Sequence, residues 1–414
     1  MTTHPLQPVS LKSKALSFKA LPPLSLYIHI PWCVRKCPYC DFNSHEVRGT
    51  PSPLAGEGGG EGVIHHVPEK EYVAALVRDL EMALPQIWGR KVYTVFFGGG
   101  TPSLLSGESI TEILRNVRML LPLDINAEIT LEANPGTVEA GKFAAFRDAG
   151  VNRLSMGIQS FNDAHLQALG RIHSADEARR AIDIAQQHFD NFNLDLMYAL
   201  PKQTLDEALQ DVHTALTFAP NHLSCYHLTL EPNTLFHRNP PPLPDDDASS
   251  DMQQHIEALL AEHGYEHYET SAFAQPNRRA KHNVNYWKFG DYLGIGAGAH
   301  SKLSFPDKII RQARYKQPQA YMQQVAKGAP TQTETPVTQD ELPFEFMMNA
   351  LRLNDGFDAT LFNERTSLSL LNIQRELNEA EQRGLLFRDH QRIAPTKLGQ
   401  RFLNDLLEMF LKGN

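Results

Sequence analysis

The sequence contains no run of 18 or more apolar residues, so it predicts no membrane-spanning helix. It has only four cysteines in 414 residues, and three of them lie within eight residues. That distribution is unlike a disulfide framework and indicates a reducing compartment. Residues 1–20 also lack the apolar core of a secretory signal. From these absences we expect a cytoplasmic protein.

The sequence also lacks an excess of basic residues. It has 39 lysines and arginines against 48 aspartates and glutamates, which gives a formal net charge of −9. Because a negative chain is repelled by phosphate backbones, we expect no nucleic-acid partner. Apolar residues make up 42% and charged residues 21%, as in an ordinary globular protein of two or three domains.

The clustered cysteines form a CxxxCxxC motif at Cys33, Cys37 and Cys40, within the segment YIHIPWCVRKCPYCDFNS. Iron–sulfur clusters are held by thiolates, and three thiolates leave one iron of a cubane open. A structural zinc site would need a fourth ligand, usually from a second cysteine pair, which is missing here. Three unliganded thiols are the alternative. Cys225 lies in a predicted strand, where we expect a small buried apolar residue.

Strand and helix patterns alternate through the first half of the chain. Helical stripes separate six predicted strands, at residues 25–30, 92–97, 127–133, 151–158, 192–200 and 223–230. This alternation predicts an α/β fold with a parallel sheet and right-handed crossovers. Six strands favour an open, partial (β/α)6 barrel.

Glycines and polar side chains follow the ends of these strands. The first strand runs into the cysteine loop, and GGGTP at 98–102 follows the second, where glycines let backbone groups approach a ligand. Glu132, Gln159 and Asp195 lie at the ends of the next three strands, with Arg171 a little beyond the fourth. In parallel barrels this edge carries the active site, so we expect these groups to form one site.

The second half of the chain has a different pattern. YEHYETSAFA at 265–274 predicts one added strand. GIGAGAH at 294–300 is not a dinucleotide fingerprint, because no helical run follows it.

The motif HNVNYW at 282–287 has two possible interpretations. His282 is either an axial iron ligand beside aromatic rings or a hydrogen-bonded histidine in an ordinary aromatic turn. Helical patterns at 343–353 and 402–410 with a hairpin at 384–396 predict a winged-helix-like domain without a basic face.

We therefore expect four parts in the chain. They are an N-terminal lead-in at 1–23, a barrel core at 24–264 with a flexible Gly/Pro-rich insertion at 49–62, a connecting region at 265–335 that contains HNVNYW, and a mostly helical, winged-helix-like C-terminal domain at 336–414.

These motifs resemble the radical S-adenosylmethionine superfamily. The cysteine segment, FFGGGTPSLL, EANPG, RLSMGIQSF, LGRIH, LDLMYALPKQT and HNVNYW resemble its heme-chaperone branch, a relative of oxygen-independent coproporphyrinogen III oxidase. The resemblance begins near Leu24 and implies that Cys33, Cys37 and Cys40 ligate a [4Fe-4S] cluster whose open iron binds S-adenosylmethionine. It implies that the residues around S-adenosylmethionine are Tyr27, Gly99, Gly100, Thr101, Glu132, Gln159, Arg171 and Asp195.

Two departures favour the chaperone branch over the oxidase. Phe42 stands where the oxidase pattern has a further cysteine, and only 32 residues precede Cys33, where the oxidase has a longer segment. HNVNYW is associated with heme in the chaperone branch, which favours His282 as a heme-binding residue. The resemblance thus implies a heme chaperone that delivers heme to acceptor proteins, respiratory proteins among the candidates, with an electron donor for the cluster. Oxidative decarboxylation of coproporphyrinogen III is the alternative activity.

Overall fold

The computed structural model describes residues 16–47, 49–51, 63–65, 67–136 and 140–411. Most of the predicted lead-in and most of the predicted 49–62 insertion therefore lie outside the described residues. Gly49–Pro51, the first three residues of the predicted insertion, pairs in antiparallel fashion with Val63–His65, which directly follows it.

Six parallel strands form the part of the described sheet that carries the candidate site. They are β1 Leu24–Ile30, β2 Val92–Gly99, β3 Leu123–Ala133, β4 Arg153–Gln159, β5 Phe192–Tyr198 and β6 His222–His227. They lie side by side in chain order, each parallel to the next. All six predicted strands are confirmed. The third begins four residues earlier than predicted, at Leu123, and the sixth ends earlier, at His227.

Helices connect these strands and cover the sheet. They are α1 Glu69–Ala83, α2 Gly107–Leu120, α3 Phe143–Ala149, α4 Asp163–Ala168, α5 Ala175–His188, α6 Leu205–Thr217, α7 Leu235–Arg238 and α8 Asp246–Glu262. The predicted apolar stripe of α1 is buried at Tyr72, Leu76 and Leu80. Ser174 and Thr204 close capping boxes at the starts of α5 and α6, each worth about 1 kcal/mol of helix stability.

The segment predicted to connect the two domains extends the main sheet. It contains β7 Glu266–Glu269, β8 Ala272–Ala274, α9 Lys281–Trp287, β9 Asp291–Ile295, β10 His300–Ser304, β11 Ile309–Arg314, α10 Pro318–Ala326 and β12 Thr331–Pro336. The prediction of one strand at 265–274 was wrong, because β7 and β8 form an antiparallel pair. HNVNYW lies in helix α9 rather than in a turn.

Strand β1 lies in the middle of the sheet. It pairs in parallel with β2 on one side and with β9 on the other. Every residue of β9 is buried, as a strand covered on both faces requires. The strand that leads into the cysteine loop is therefore held by neighbours from both halves of the chain.

The C-terminal region packs around a second hydrophobic core. Its elements are α11 Leu342–Ala350, β13 Phe357–Asp358, α12 Ala359–Thr366, α13 Gln374–Gln382, β14 Leu386–Arg388, β15 Arg392–Pro395, α14 Lys397–Arg401 and α15 Leu403–Glu408. Phe346 contacts Phe357 and Phe362 edge to face in this core. The predicted hairpin is confirmed, and β15 also pairs with β13. None of the helices in the described ranges combines the length and apolar character that a bilayer crossing requires.

Candidate functional site

A cavity of about 360 Å³ opens at the carboxyl ends of the six parallel strands. Ten of the residues predicted from the sequence line it together. They are Cys33, Cys37, Cys40, Gly99, Gly100, Thr101, Glu132, Gln159, Arg171 and Asp195. The cavity lies where a parallel α/β sheet binds ligands, because each strand presents its last residues at this edge. Tyr27 and His282 do not line it.

The cysteine loop is folded back on itself at the end of β1. Trp32–Cys33 pairs with His45–Glu46, and the backbone N–H of Cys40 donates to the carbonyl of Cys37 over 3.1 Å. All three cysteines are free thiols and only partly buried. These backbone contacts hold the two ends of the loop together, and its three cysteines line the cavity.

Asn43 fastens the far end of this loop to the second half of the chain. Its side-chain amide donates to the carbonyls of Ala297 and Lys316, both over 3.0 Å. Gly298 adopts φ +83°, and a Cβ there would lie 2.2 Å from the Asn43 amide nitrogen. Only glycine therefore leaves room for this anchor. The glycine-rich GIGAGAH segment closes against the cysteine loop.

The donor set suits a cluster better than a single ion. Among the residues that the structure describes, no three histidine, cysteine, aspartate or glutamate side chains are placed to hold one metal ion. A mononuclear zinc site would gather its ligands within about 2.3 Å of one point. Three thiols spread around a cavity fit the larger [4Fe-4S] cubane, with the fourth iron left open.

The glycine turn after β2 is packed so closely that side chains are excluded from it. Gly99 adopts φ +114°, and a Cβ there would lie 2.4 Å from Cε1 of His29. A Cβ on Gly100 would lie 2.5 Å from the carbonyl oxygen of Trp32. The turn thereby brings bare backbone to the cavity wall, directly beside the cysteine loop.

A chain of hydrogen bonds links two of the cysteines through three strand ends. The hydroxyl of Thr101 donates to Sγ of Cys33 over 3.5 Å, and the Asn134 amide donates to the Thr101 hydroxyl over 3.0 Å. Arg171 donates to Oδ1 of Asn134 over 2.7 Å and to Sγ of Cys37 over 3.7 Å. A partly buried guanidinium thus lies beside the sulfur of Cys37.

Two partly buried acids, Glu132 and Asp195, face the same cavity. Oε2 of Glu132 accepts the backbone N–H of Gly99 over 3.2 Å, and burial, reinforced by Asp195, raises the pKa of Glu132 to about 8. Asp195 accepts hydrogen bonds from Asn193 and Ser155, yet burial still raises its pKa. Carboxyls removed from water are costly to ionise, so this pair fits a ligand that brings positive charge and hydroxyl groups. S-adenosylmethionine carries both.

Gln159 is held in a strained backbone conformation at the end of β4. Its φ is +70°, in the left-handed region that residues with a Cβ rarely adopt. Such strain typically costs about 1–3 kcal/mol and is found at functional sites. The conformation places Gln159 on the cavity wall beside Gly157 and Arg171.

Tyr27 lies beneath the glycine turn rather than in the cavity. Its hydroxyl oxygen is 3.0 Å from Nδ1 of His29, whose Nε2 is 2.9 Å from the carbonyl oxygen of Asn43. Burial lowers the pKa of His29 to about 4, so its ring is neutral. Tyr27 and His29 thereby connect the glycine turn to the anchored end of the cysteine loop.

His282 is buried inside the barrel and is only 4% exposed. Its Nδ1 is 2.8 Å from Oγ1 of Thr94, and its ring centroid is 4.9 Å from that of Phe96. Burial and the nearby charge of Arg153 lower its pKa to about 3. A heme iron needs an open approach to a ring nitrogen, and this position offers none. The structure therefore does not bring His282 to the site, and its surroundings match the hydrogen-bonded alternative.

Sequence analysis assigned site residues to five strand ends and missed the sixth. Tyr226 and His227 end β6 and line the cavity, as do Ser155 of β4 and Met197 of β5. The signal was present in the sequence, because the predicted strand at 223–230 must end at the same edge. Asn134, which joins Thr101 to Arg171, also lies directly after its strand.

Comparison with known proteins agrees with this geometry. Residues 27–215 match the model of the Radical SAM superfamily, and residues 337–402 match that of the HemN C-terminal domain. "Heme chaperone HemW" of Escherichia coli (strain K12) is 48% identical over 393 residues, which are 94% of this chain and 99% of that protein. The chain belongs to the HemW family of the radical SAM superfamily. The HemW protein of Haemophilus influenzae is 46% identical, over 94% of this chain and 98% of its own.

The fold predicted for a member of this family is confirmed by a solved structure. The radical SAM enzyme coproporphyrinogen III oxidase (HemN) from Escherichia coli superposes with a TM-score of 0.76 over 95% of this chain and 91% of its own. Its sequence identity is 24%, so the likeness establishes the fold alone. HemW membership also confirms the branch indicated by the sequence motifs.

Proposed function

We propose that this member of the HemW family is a heme chaperone, which binds heme and passes it to acceptor proteins. The observation that carries the proposal is the near full-length match to two proteins named heme chaperone, at 48% and 46% identity. We propose the cytoplasm as its location, and respiratory heme proteins as the acceptors to test first.

We further propose that the cavity holds the [4Fe-4S] cluster and S-adenosylmethionine. Cys33, Cys37 and Cys40 would ligate the cluster, which in its reduced form would supply an electron for cleavage of the sulfonium. A separate electron-donor protein would reduce it.

The chain's own groups would orient the second cofactor. Bare backbone at Gly99 and Gly100 would meet its ammonium group, while Glu132 and Asp195 would bind its polar groups and ribose. Arg171 and Gln159 line the same wall, and Thr101 contacts Cys33. The proposal rests on this convergence of glycine backbone, partly buried acids and a partly buried cation.

Titration of anaerobically reconstituted protein with heme, with and without S-adenosylmethionine, tests the function. We expect a saturable shift of the Soret band, because a protein-ligated heme absorbs differently from free heme. No change in that band would overturn the chaperone function. Transfer is then measured by mixing heme-loaded protein with a heme-free b-type acceptor. A rate that rises with acceptor concentration indicates direct delivery, whereas a constant rate equal to spontaneous heme dissociation contradicts it.

The set of cofactor groups at the cavity favours a second candidate function. An oxidase that decarboxylates the propionates of coproporphyrinogen III would need the same thiols, acids and glycine turn. Mass spectrometry of products, with reductant and S-adenosylmethionine present, separates the two candidates. Absence of a vinyl product removes the oxidase function.

A further inference from the structure

The mouth of the cavity is formed by side chains outside the set predicted for S-adenosylmethionine. Phe42 lies on the cysteine-loop side and is 62% exposed, although it lines the cavity. Tyr226, at the end of β6, is 42% exposed and lines the same cavity. Exposed aromatic rings at a cavity mouth suit a flat, largely apolar ligand. The mouth thus differs in chemistry from the polar interior.

His227, which follows Tyr226, provides an imidazole at this mouth. Among the described residues it is the one histidine that lines the cavity. None of the described residues forms a hydrogen bond to either of its ring nitrogens. Its ring contacts that of Tyr198 edge to face, with the centroids 5.4 Å apart, and this contact orients it. The ring is therefore both positioned and available to a ligand.

The protonation state of His227 suits ligation of a metal. Partial burial in the cavity wall lowers its pKa below the usual value, although the nearby Asp246 acts in the opposite direction. The imidazole is therefore neutral at neutral pH, and a neutral imidazole has a nitrogen lone pair for iron. The buried rings of His29 and His282 are also neutral, but both are engaged in hydrogen bonds.

We propose that His227 is an axial ligand of heme bound at the mouth of the cavity, with the macrocycle against Phe42 and Tyr226. This inference rests on the proposed chaperone function and names the position of its cargo. Imidazole is a common axial ligand of heme iron, and aromatic side chains pack well against the porphyrin plane. The mouth also carries an exposed guanidinium, that of Arg35, which suits a propionate.

The carboxylates at the mouth do not prevent this placement. Asp41 is exposed and lines the same cavity as Arg35. Glu231 accepts a hydrogen bond from the Thr229 hydroxyl over 2.7 Å, so one of its oxygens already has a donor within the protein. We expect the heme propionates to point toward Arg35 and solvent.

Heme at this position would lie across the entrance to the inner cavity. S-adenosylmethionine would then have to enter the inner cavity before heme binds. It could leave only after heme has dissociated. Heme bound elsewhere on the protein would not impose such an order. The proposal therefore predicts that prior saturation with heme slows the binding of S-adenosylmethionine.

Three histidine variants test the proposal by heme titration of reconstituted full-length protein. His227→Ala is expected to lose the Soret shift or to raise the Kd for heme at least ~10-fold, which is about 1.4 kcal/mol of binding free energy. Free imidazole should restore the shift. His237→Ala is the matched control, because His237 is exposed on α7, outside the cavity lining. His282→Ala tests the histidine that the sequence motif favours.

Iron content and binding of S-adenosylmethionine are measured on each variant as controls for an intact site. His227→Gln keeps the size and polarity of the side chain, so it replaces the alanine variant if that protein loses its cluster. Wild-type Soret spectra and heme affinity in a His227 variant with full iron content would overturn the inference. Failure of the wild-type protein to bind heme would instead overturn the proposed function, so the two failures are distinguishable.

Discussion

Arg171 donates a hydrogen bond over 2.7 Å to Asn134, a residue 37 positions earlier in the chain. The same side chain donates through Nδ2 to the hydroxyl of Thr101. Both the oxygen and the nitrogen of this amide therefore form hydrogen bonds inside the candidate site. The two partners of Asn134 are those that contact the sulfurs of Cys33 and Cys37. Asn134 thereby links the contacts of two proposed cluster ligands, although it contacts neither.

Asn134→Ala should weaken the site without removing the cluster. Loss of the hydrogen bond to a charged, partly buried arginine is worth roughly 1.5–3 kcal/mol, so we expect about 10-fold weaker affinity for S-adenosylmethionine. We also expect a shifted reduction potential, because the donors to the sulfurs are released. Isothermal titration and potentiometry measure both. Asn116→Ala is the control, because Asn116 bonds only to its own helix, at Glu112. An unchanged affinity and potential would show that Asn134 has no positioning role.

Gly99→Ala should destabilise the protein far more than Gly89→Ala. Both glycines have positive φ, +114° and +70°, so both substitutions carry a backbone cost of roughly 1–2 kcal/mol. At Gly99 the added Cβ would also clash with the His29 ring, whose nearest atom would be 2.4 Å away. At Gly89 no atom would lie within 4 Å of the added Cβ. Chemical denaturation should therefore show a loss of about 3 kcal/mol or more for Gly99→Ala. Equal losses for the two variants would mean that His29 moves aside freely.

Glu132→Gln should make the cofactor-free protein more stable at pH 7 and above. The unfolded carboxyl loses its proton near pH 4.3, while the folded one keeps it to about pH 8. Folding therefore takes up a proton between these values, and stability falls as pH rises through that range. The amide has no proton to lose, so the variant should gain on the order of 2 kcal/mol at pH 8 and nothing at pH 4.

Thermal unfolding across pH measures the effect of Glu132→Gln. Glu231→Gln is the control, because that carboxylate is at the partly exposed mouth. The Glu132 variant should at the same time lose affinity for S-adenosylmethionine, since an amide cannot become the carboxylate that would pair with the positive charge of this ligand. A pH profile parallel to that of the unmodified protein would show that Glu132 does not carry the titration.

Each of the substitutions Cys33→Ala, Cys37→Ala and Cys40→Ala should sharply lower the amount of iron bound per protein. Cys225→Ala should leave that amount unchanged. Cys225 is buried in β6 and its pKa is raised to about 12 by burial, so it remains a thiol that fills space. Its replacement should cost about 1 kcal/mol of stability through the small cavity left behind. Iron analysis after anaerobic reconstitution is the measurement. Loss of iron from the Cys225 variant would place that residue in the cluster environment.

The barrel and ten lining residues could be predicted because they follow from local pattern. Alternating strands and helices force the strand ends to one edge, so glycines and acids at those ends must meet. Asn134 could be predicted as a polar group at the end of the third strand, but its contacts could not, because an asparagine after a strand is more often a turn residue. Its importance depends on contacts with side chains 33 and 37 positions away.

His282 stays a predicted heme-binding residue, and its position inside the barrel could not be derived from the sequence for a related physical reason. A motif of histidine and aromatic residues indicates a porphyrin or a packed core equally well, since both are flat and apolar. Only tertiary structure shows that the ring points at Thr94 and Phe96 inside the barrel. The sequence could exclude a dinucleotide fingerprint at GIGAGAH, but only the structure shows that Gly298 in this segment makes room for Asn43.

The anchoring of Asn43 has a consequence for biosynthesis. The cysteines are near the start of the chain, but the carbonyls that hold their loop belong to Ala297 and Lys316. A ribosome must therefore complete most of the protein before that end of the loop can be fixed. Iron delivered to a shorter nascent chain would meet three thiols without their final geometry. We therefore expect the proposed cluster to be inserted after residues 297–316 have been synthesised and β9 has paired with β1.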